Sequence, residues 1–133
     1  MKALKAKVVR ALQKGSYIPT CDNSGAKMLR VISFRGGRGV KARNMAGGVA
    51  DFITASVSVG APDMRKKVVN AVIVRQKKEY RRSDGMRIKF EDNAAVVVKD
   101  DKGNPKGTLI KGPIAKEVVT RWPAIAKLAK GIA

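Results

Sequence analysis

The run from Val68 to Val74, polar only at Asn70, lies inside a stretch from Arg65 to Lys89 that holds ten Lys and Arg residues against two acids, Glu79 and Asp84. A strand apolar on both faces must be covered on both, which places it centrally in a sheet with another element over its outer side. Cations cannot follow it inside, so they collect at its ends and in the loop that follows. A solvated charged surface interleaves both signs, whereas this segment carries a like-charge repulsion that only an external anion relieves. The stretch predicts a buried strand whose ends and loop face a dense polyanion, and nucleic acid is such a polyanion.

The rest of the chain repeats the bias. Its 133 residues include 29 Lys and Arg, 10 Asp and Glu and no His, for a formal charge of +19. Residues 1–21 hold five cations and no acid, and residues 23–50 hold six cations and no acid. Acids gather later, at Glu91, Asp92, Asp100 and Asp101. With about six to ten phosphates contacted, counterion release predicts a loss of about 10³ to 10⁵ in affinity between about 50 and 200 mM salt. The length suits one domain that buries roughly two thirds of the surface its unfolded chain exposes. An apolar content of 44% argues against wholesale disorder. No apolar run approaches the ~20 residues that span a bilayer, and the N-terminus lacks a signal-like apolar region, so no membrane partner and a cytoplasmic location are expected. Cys21 is the only cysteine, which excludes an intrachain disulfide or a cysteine-rich zinc site and reads as a small buried apolar residue.

Short strands separated by Gly and Pro dominate the first 110 residues. Ile53, Ala55, Val57 and Val59 alternate with Phe52, Thr54, Ser56 and Ser58, the period of a strand with one face inward. Lys27 to Phe34 reads as a second strand stopped by Gly36-Gly37, and Val68 to Val74 as a third. Met86, Ile88 and Phe90 form a fourth that is expected to pair with a fifth, Ala94 to Val98. Five such strands at roughly ten-residue spacing predict a mainly β fold, a small five-stranded closed β-barrel, because closure removes aggregation-prone edges. Near the C-terminus Val118, Val119, Trp122, Ile125, Ala126, Ala129 and Ile132 recur at helical spacing, and Pro123 splits that segment into two short helices, with Pro123 near the start of the second. The expected organisation is a basic N-terminal extension over 1–14, a barrel over 15–112, and a C-terminal helical segment over 113–133 packed on the barrel.

Catalysis is poorly served by these residues. Without histidine or a cysteine pair the usual general bases and metal ligands are missing, so no enzyme activity, cofactor or metal is expected. Asp100-Asp101, set among Lys99, Lys102 and Lys106, reads as a solvated turn. The glycines of Arg35-Gly36-Gly37-Arg38-Gly39 match no phosphate-loop spacing; they either admit a phosphate close to the backbone, with Arg35 and Arg38 supplying charge, or simply form a hairpin loop. Six aromatics are too few for a single-strand stacking platform, which favours structured RNA recognised by shape and backbone. Arg75, Arg81 and Arg82 are the leading phosphate anchors because a guanidinium fork holds two oxygens at once, with Lys77 and Lys78 as point charges. Arg65, Lys66, Lys67, Lys41 and Arg43 extend the basic set. Tyr80, amid these cations, either stacks on a base or sugar or packs inside.

The spacing of several blocks is familiar. Ala71-Val72-Ile73-Val74, nine residues, Asp84-Gly85, four residues, Phe90, two residues, Asn93, two residues and Val96-Val97 resemble the signature of the universal large-subunit ribosomal protein fourteen family. Asp22-Asn23-Ser24-Gly25-Ala26-Lys27, Val74-Arg75-Gln76-Lys77-Lys78, Arg82-Ser83-Asp84-Gly85 and Gly112-Pro113-Ile114-Ala115-Lys116-Glu117 agree in order, so the resemblance covers about residues 16–133. It implies a five-stranded barrel with a projecting hairpin and a C-terminal helical part, bound to large-subunit rRNA and forming an intersubunit bridge to small-subunit rRNA. It also implies neighbouring large-subunit ribosomal proteins and an anti-association factor as partners. Asn23, Ser24 and Lys27 match a first RNA-facing block, and Arg75, Lys77, Lys78, Arg81 and Arg82 a second. Lys111, Lys116 and Arg121 are candidates for bridge or protein contact. The residues alone leave Asn23-Ser24-Gly25 open as a mere turn, and Asp84-Gly85 as a hairpin turn that aims Arg81 and Arg82. The Trp122-Pro123-Ala124-Ile125 ending looks archaeal or eukaryotic rather than bacterial. Two departures stand out: Ala50 in Gly48-Val49-Ala50-Asp51, where the family usually has glycine, and Leu109, where bacterial members carry arginine. The alternative is a free-standing basic nucleic-acid architectural protein or RNA chaperone exploiting the same charge.

Overall fold

In the computed structural model, which describes residues 3, 4, 6, 8–37, 39 and 44–133, a five-stranded antiparallel sheet runs β2 (Tyr17–Pro19), β3 (Ala26–Phe34), β5 (Phe52–Gly60), β6 (Val68–Arg75), β9 (Ala94–Val98). Two small sheets accompany it: β1 (Leu12–Gln13) with β4 (Ala46–Gly47), and β7 (Tyr80–Arg81) with β8 (Arg87–Ile88). Helices α1 (Lys116–Arg121) and α2 (Pro123–Ala126) follow. The fold is mainly β with short C-terminal helices, as expected.

Two features differ from expectation. The strand around Met86–Phe90 does not pair with β9; Arg87 and Ile88 pair with Arg81 and Tyr80, and β9 pairs with β6. Alternation reports which face is buried and leaves the partner undefined; the Asp84-Gly85 turn, with Gly85 at φ 89°, closes residues 82–86 into a hairpin, while β9 is taken up by β6. The fifth strand of the sheet is β2 instead. Second, the barrel is a curled half-barrel whose two edges meet at one place, a parallel bridge between Thr20 and Ala95 reinforced by Cys21 N–H donating to the Ala95 carbonyl at 3.1 Å. A longer ladder there is blocked because β2 has three residues and its last, Pro19, has no N–H to donate. Leu12 and Gln13, inside the 1–14 stretch, pair with Gly47 and Ala46, and Leu12 is buried in the barrel core.

The double-sided burial of β6 has a clear origin. Ala71 and Ile73, with Ala95 and Val97 of β9, face the barrel interior alongside Ile18, Leu29, Val31, Ile53 and Val57. Val72 and Val74, with Val96 and Val98, face outward into a second cluster that holds Phe52, Ile114, Val118, Trp122 and Ile125. The C-terminal segment is therefore the element over the outer side of the central strand. Trp122 packs tilted on Phe52 with ring centres 5.7 Å apart and donates Nε1–H to the Ala50 carbonyl at 2.8 Å. Pro123 opens α2 at its first turn, where the missing N–H costs nothing. The predicted stripe ends before Ile132, which is exposed.

Ala50 stands in the turn before β5. It keeps a left-handed backbone, φ 69°, and is fully buried. Its N–H donates to the Ile73 carbonyl at 2.8 Å. The turn before β5 thus places an alanine in a conformation that favours glycine.

Candidate nucleic-acid interface

The candidate cations divide into those that the fold consumes and those that it presents. Arg75, at the end of β6, is buried at 8% exposure. Its Nη1 donates to the carbonyls of Lys111 (2.9 Å) and Pro113 (3.0 Å), Nη2 donates to Asp92 at 3.2 Å, and Nε lies 3.0 Å from Asp92 Oδ1 as an ion pair outside hydrogen-bond geometry. Gly112 lets the chain pass this guanidinium: its φ is 78°, and a Cβ there would lie 2.5 Å from Arg75 Nη1. Arg75 is thus a fastener between β6 and the C-terminal segment, and its fork has no room for phosphate.

Arg82 and Tyr80 are likewise engaged. Tyr80 is fully buried and donates its hydroxyl to Glu117 of α1 at 2.7 Å, so it packs inside and does not stack on a base. Arg82 Nε donates to Glu117 at 2.8 Å, and Nη2 donates to the Ala133 carbonyl at 2.6 Å. The side chains of the Arg82–Glu117 pair are 11% and 6% exposed. Burial, then the bond to Glu117, push the Tyr80 hydroxyl far above its ordinary pKa. Burial opposes the charge on Arg82, but its hydrogen bonds to Glu117 and Tyr80 outweigh that and strengthen it as a cation. The Asp84-Gly85 turn forms as a hairpin signal should, with Gly85 at φ 89° and Asp84 Oδ1 accepting from Met86 N–H at 3.0 Å. It leaves Arg81 exposed and turns Arg82 inward.

The presented cations are held by buried neighbours. Gln76, fully buried, accepts from Val49 N–H at 3.1 Å and donates to the Lys78 carbonyl at 2.9 Å, while Asn93 accepts from Lys77 N–H at 2.8 Å. These bonds fix the backbone so that Lys77 and Lys78 project outward. Lys78 meets Glu79 at 2.8 Å in an exposed pair, a weak contact that also lowers the Glu79 pKa. Arg65, Lys66 and Lys67 are exposed in the β5–β6 connection, and Lys66 is left-handed at φ 65°. Lys66 N–H donates to the Val57 carbonyl and Val57 N–H to the Lys67 carbonyl, each at 2.9 Å, so this loop continues the hairpin. Among the described residues Arg65, Lys66, Lys67, Lys77 and Arg81 make no ion pair.

The remaining candidates are spread over the surface. Asn23 Oδ1 accepts from Thr108 N–H (2.8 Å) and Leu109 N–H (3.2 Å), so its side chain braces a loop; Ser24 donates to Asp22 at 2.8 Å, and Lys27 is exposed. Arg35 pairs with Asp101 at 2.7 Å and lies 3.8 Å over the Phe52 ring. Arg38, Lys41 and Arg43 lie outside the described residues. Lys111 and Lys116 are exposed, while Arg121 meets Asp51 at 3.3 Å. Reading the residues missed Glu117 and Asp22. Glu117, the one acid in the apolar C-terminal stripe, was the available signal. Asp22 accepts from Val97 N–H at 3.0 Å, and burial raises its pKa. Cys21 is buried as expected, and burial pushes its thiol up to about 11.

Residues 11–133 match the family model described as ribosomal protein L14p/L23e. The chain belongs to the ribosomal protein L14p/L23e family. Its relatives include the protein named "Large ribosomal subunit protein uL14" from Nanoarchaeum equitans, 54% identical over 130 residues with 98% of each chain covered. Those of the same name from Methanothrix thermoacetophila and Halobacterium salinarum are 52% and 51% identical over 129 residues, with 97% of each chain covered. An L14p/L23e protein is a structural ribosomal component and not an enzyme, and the archaeal relatives agree with an ending that looks archaeal or eukaryotic rather than bacterial. No helix among the described residues is long and apolar enough to cross a membrane.

Proposed function

We propose that this chain is a constituent of the large ribosomal subunit that binds large-subunit rRNA through the exposed cations of its β5–β6 and β6–β7 connections. Lys111 and Lys116, on the C-terminal side, contribute to an intersubunit bridge with small-subunit rRNA or to contacts with neighbouring ribosomal proteins and an anti-association factor. One observation carries the RNA reading: after the fold has paired Arg75, Arg82, Arg35 and Arg121 with carboxylates, a set of exposed cations remains on well-braced loops. Charge so placed is preorganised for phosphate and costs little ordering entropy on binding. Of the sixteen candidate RNA contacts, Lys27, Arg65, Lys66, Lys67, Lys77, Lys78 and Arg81 are best placed for phosphate, while Arg75, Tyr80 and Arg82 shape the surface from beneath.

Sedimentation tests the assignment. In a lysate gradient at moderate salt the chain should travel with the large-subunit peak at about one copy per particle. Recovery only outside that peak would defeat the ribosomal reading in favour of a free-standing RNA-binding protein.

A further inference from the structure

The outer face of the five-stranded sheet carries a row that includes none of the interface residues above. Tyr17 on β2 stands opposite Arg30 on β3, Arg30 opposite Ser56 on β5, and Ser56 opposite Val68 on β6. Directly opposed residues of antiparallel strands share a face, so these side chains form one line across four strands, about 14 Å long at a strand spacing of about 4.8 Å. Tyr17 is 58% exposed and Val68 64%. The Arg30 guanidinium lies 5.8 Å from the Tyr17 ring centre, within cation–π range. Beside this line runs a second one of small polar residues, Ser33, Thr54 and Asn70, in which Thr54 donates to Asn70 at 3.2 Å. Strands β2, β3, β5 and β6 contain no Asp or Glu. At the Val68 end the face continues directly into Arg65, Lys66 and Lys67.

We propose that this sheet face is a second RNA-docking surface, one that seats the shallow minor groove of a helical RNA segment. The inference rests on the rRNA reading above and adds the form of RNA and the residues that meet it. A-form RNA presents a wide, shallow minor groove lined by 2′-hydroxyls, which the convex outer face of a curled sheet bearing short polar side chains can approach closely. The Ser56 and Thr54 hydroxyls meet the 2′-OH groups, Arg30 meets a phosphate at the groove edge, and the Tyr17 ring packs against ribose. One exposed aromatic is too few for a single strand, which needs successive stacking platforms. The absence of carboxylates from these four strands makes the face complementary to a polyanion. A protein partner would call for a larger apolar centre than Val68 and Ile32 supply.

The test compares Tyr17→Ala, Arg30→Gln and Ser56→Glu with a triple Ala variant at Arg65, Lys66 and Lys67, in filter binding of the purified chain to a large-subunit rRNA transcript across a salt series. Each sheet-face variant should lose affinity by about tenfold, the scale of one stacked or charge-assisted contact. Arg30→Gln should also lower the salt slope by nearly one unit. Tyr17 and Arg30 are solvent-exposed, so those two variants decide the matter if Ser56→Glu fails to fold. Undiminished affinity in both, with binding lost in the triple variant, overturns the sheet-face proposal and leaves the rRNA reading intact. Failure of the unaltered chain to bind the transcript defeats both. A second readout uses Ser56→Cys carrying a thiol-linked photo-probe in assembled large subunits, where buried Cys21 stays unlabelled. Cross-links to RNA support the proposal, and cross-links to protein alone, or none, overturn it.

Discussion

Arg75 and Lys77 are two residues apart and carry the same formal charge, yet their replacement by alanine should produce opposite signatures. Arg75→Ala removes two charge-assisted bonds to the carbonyls of Lys111 and Pro113 and an ion pair with Asp92. Cutting a buried pair costs about 3–5 kcal/mol. The Asp92 side chain is 52% exposed and can rehydrate, which places the loss near the lower bound, about 3 kcal/mol. For a domain of this size that corresponds to a fall in Tm of roughly 10 °C. The salt slope of RNA binding, measured well below that Tm, should not move, because the guanidinium is buried and committed to Lys111, Pro113 and Asp92. Lys77→Ala should leave Tm within about 2 °C, since exposed substitutions away from special features stay within about 0.5 kcal/mol. It should lower the slope by about 0.9, equivalent to about 3.5-fold less loss of affinity between about 50 and 200 mM salt. Calorimetry or circular dichroism gives the first quantity and filter binding the second. A stable Arg75→Ala protein whose slope falls by a full unit would refute the division between consumed and presented cations.

Further expectations follow from other contacts. Glu117→Ala strands the Arg82 guanidinium and the Tyr80 hydroxyl together and should destabilise by about 3–4 kcal/mol in urea unfolding; a loss under 1 kcal/mol would mean that the hairpin is not clamped through Glu117. Lys66→Gly relieves a left-handed backbone at an exposed site and should raise stability by about 0.5–1 kcal/mol while weakening RNA binding, whereas Ala50→Gly should come out within about 0.5 kcal/mol of neutral because the lost buried methyl, worth about 0.8 kcal/mol, offsets the same relief; equal shifts in both would contradict this. Cys21 has a folded pKa of about 11 against an ordinary 9.0, so its contribution is fully present below pH 9 and is lost as pH rises from about 9 to 11, amounting to about 2–3 kcal/mol. Cys21→Ala should therefore flatten the stability profile across that window, and an unchanged profile would count against burial of the thiol.

The legible parts of the sequence were those in which one physical constraint dominates. The alternation from Phe52 to Val59 admits one sheet orientation, and Pro123 can occupy little but the first turn of a helix. Val68 to Val74 demanded cover on both faces, and the C-terminal stripe was the one remaining apolar surface able to supply it. β2 was not legible, since Tyr17–Pro19 is too short to display a period. Nor was pairing: Met86, Ile88 and Phe90 reveal a face, while the partner is decided by β6, which takes up β9 from some twenty residues away. The site was half legible for a related reason. Sequence reports that Arg75 and Arg82 are charged, but whether a cation faces inward depends on a carboxylate meeting it in space, and Glu117 lies 35 positions from Arg82. Asn23, similarly, finds its partners at Thr108 and Leu109, 85 and 86 residues on.

Because one flank of β6 and β9 is sealed by Ile114, Val118, Trp122 and Ile125, a growing polypeptide must hold Val72, Val74, Val96 and Val98 bare until that late stretch has emerged. The half-made product is a sticky intermediate with a row of valines on show and a strongly cationic surface around it. Such a species is prone to self-association and to capture by any nearby RNA. The nascent chain should thus depend on a chaperone, or on prompt delivery to its binding site, in the interval before the Trp122 indole swings over the Ala50 turn.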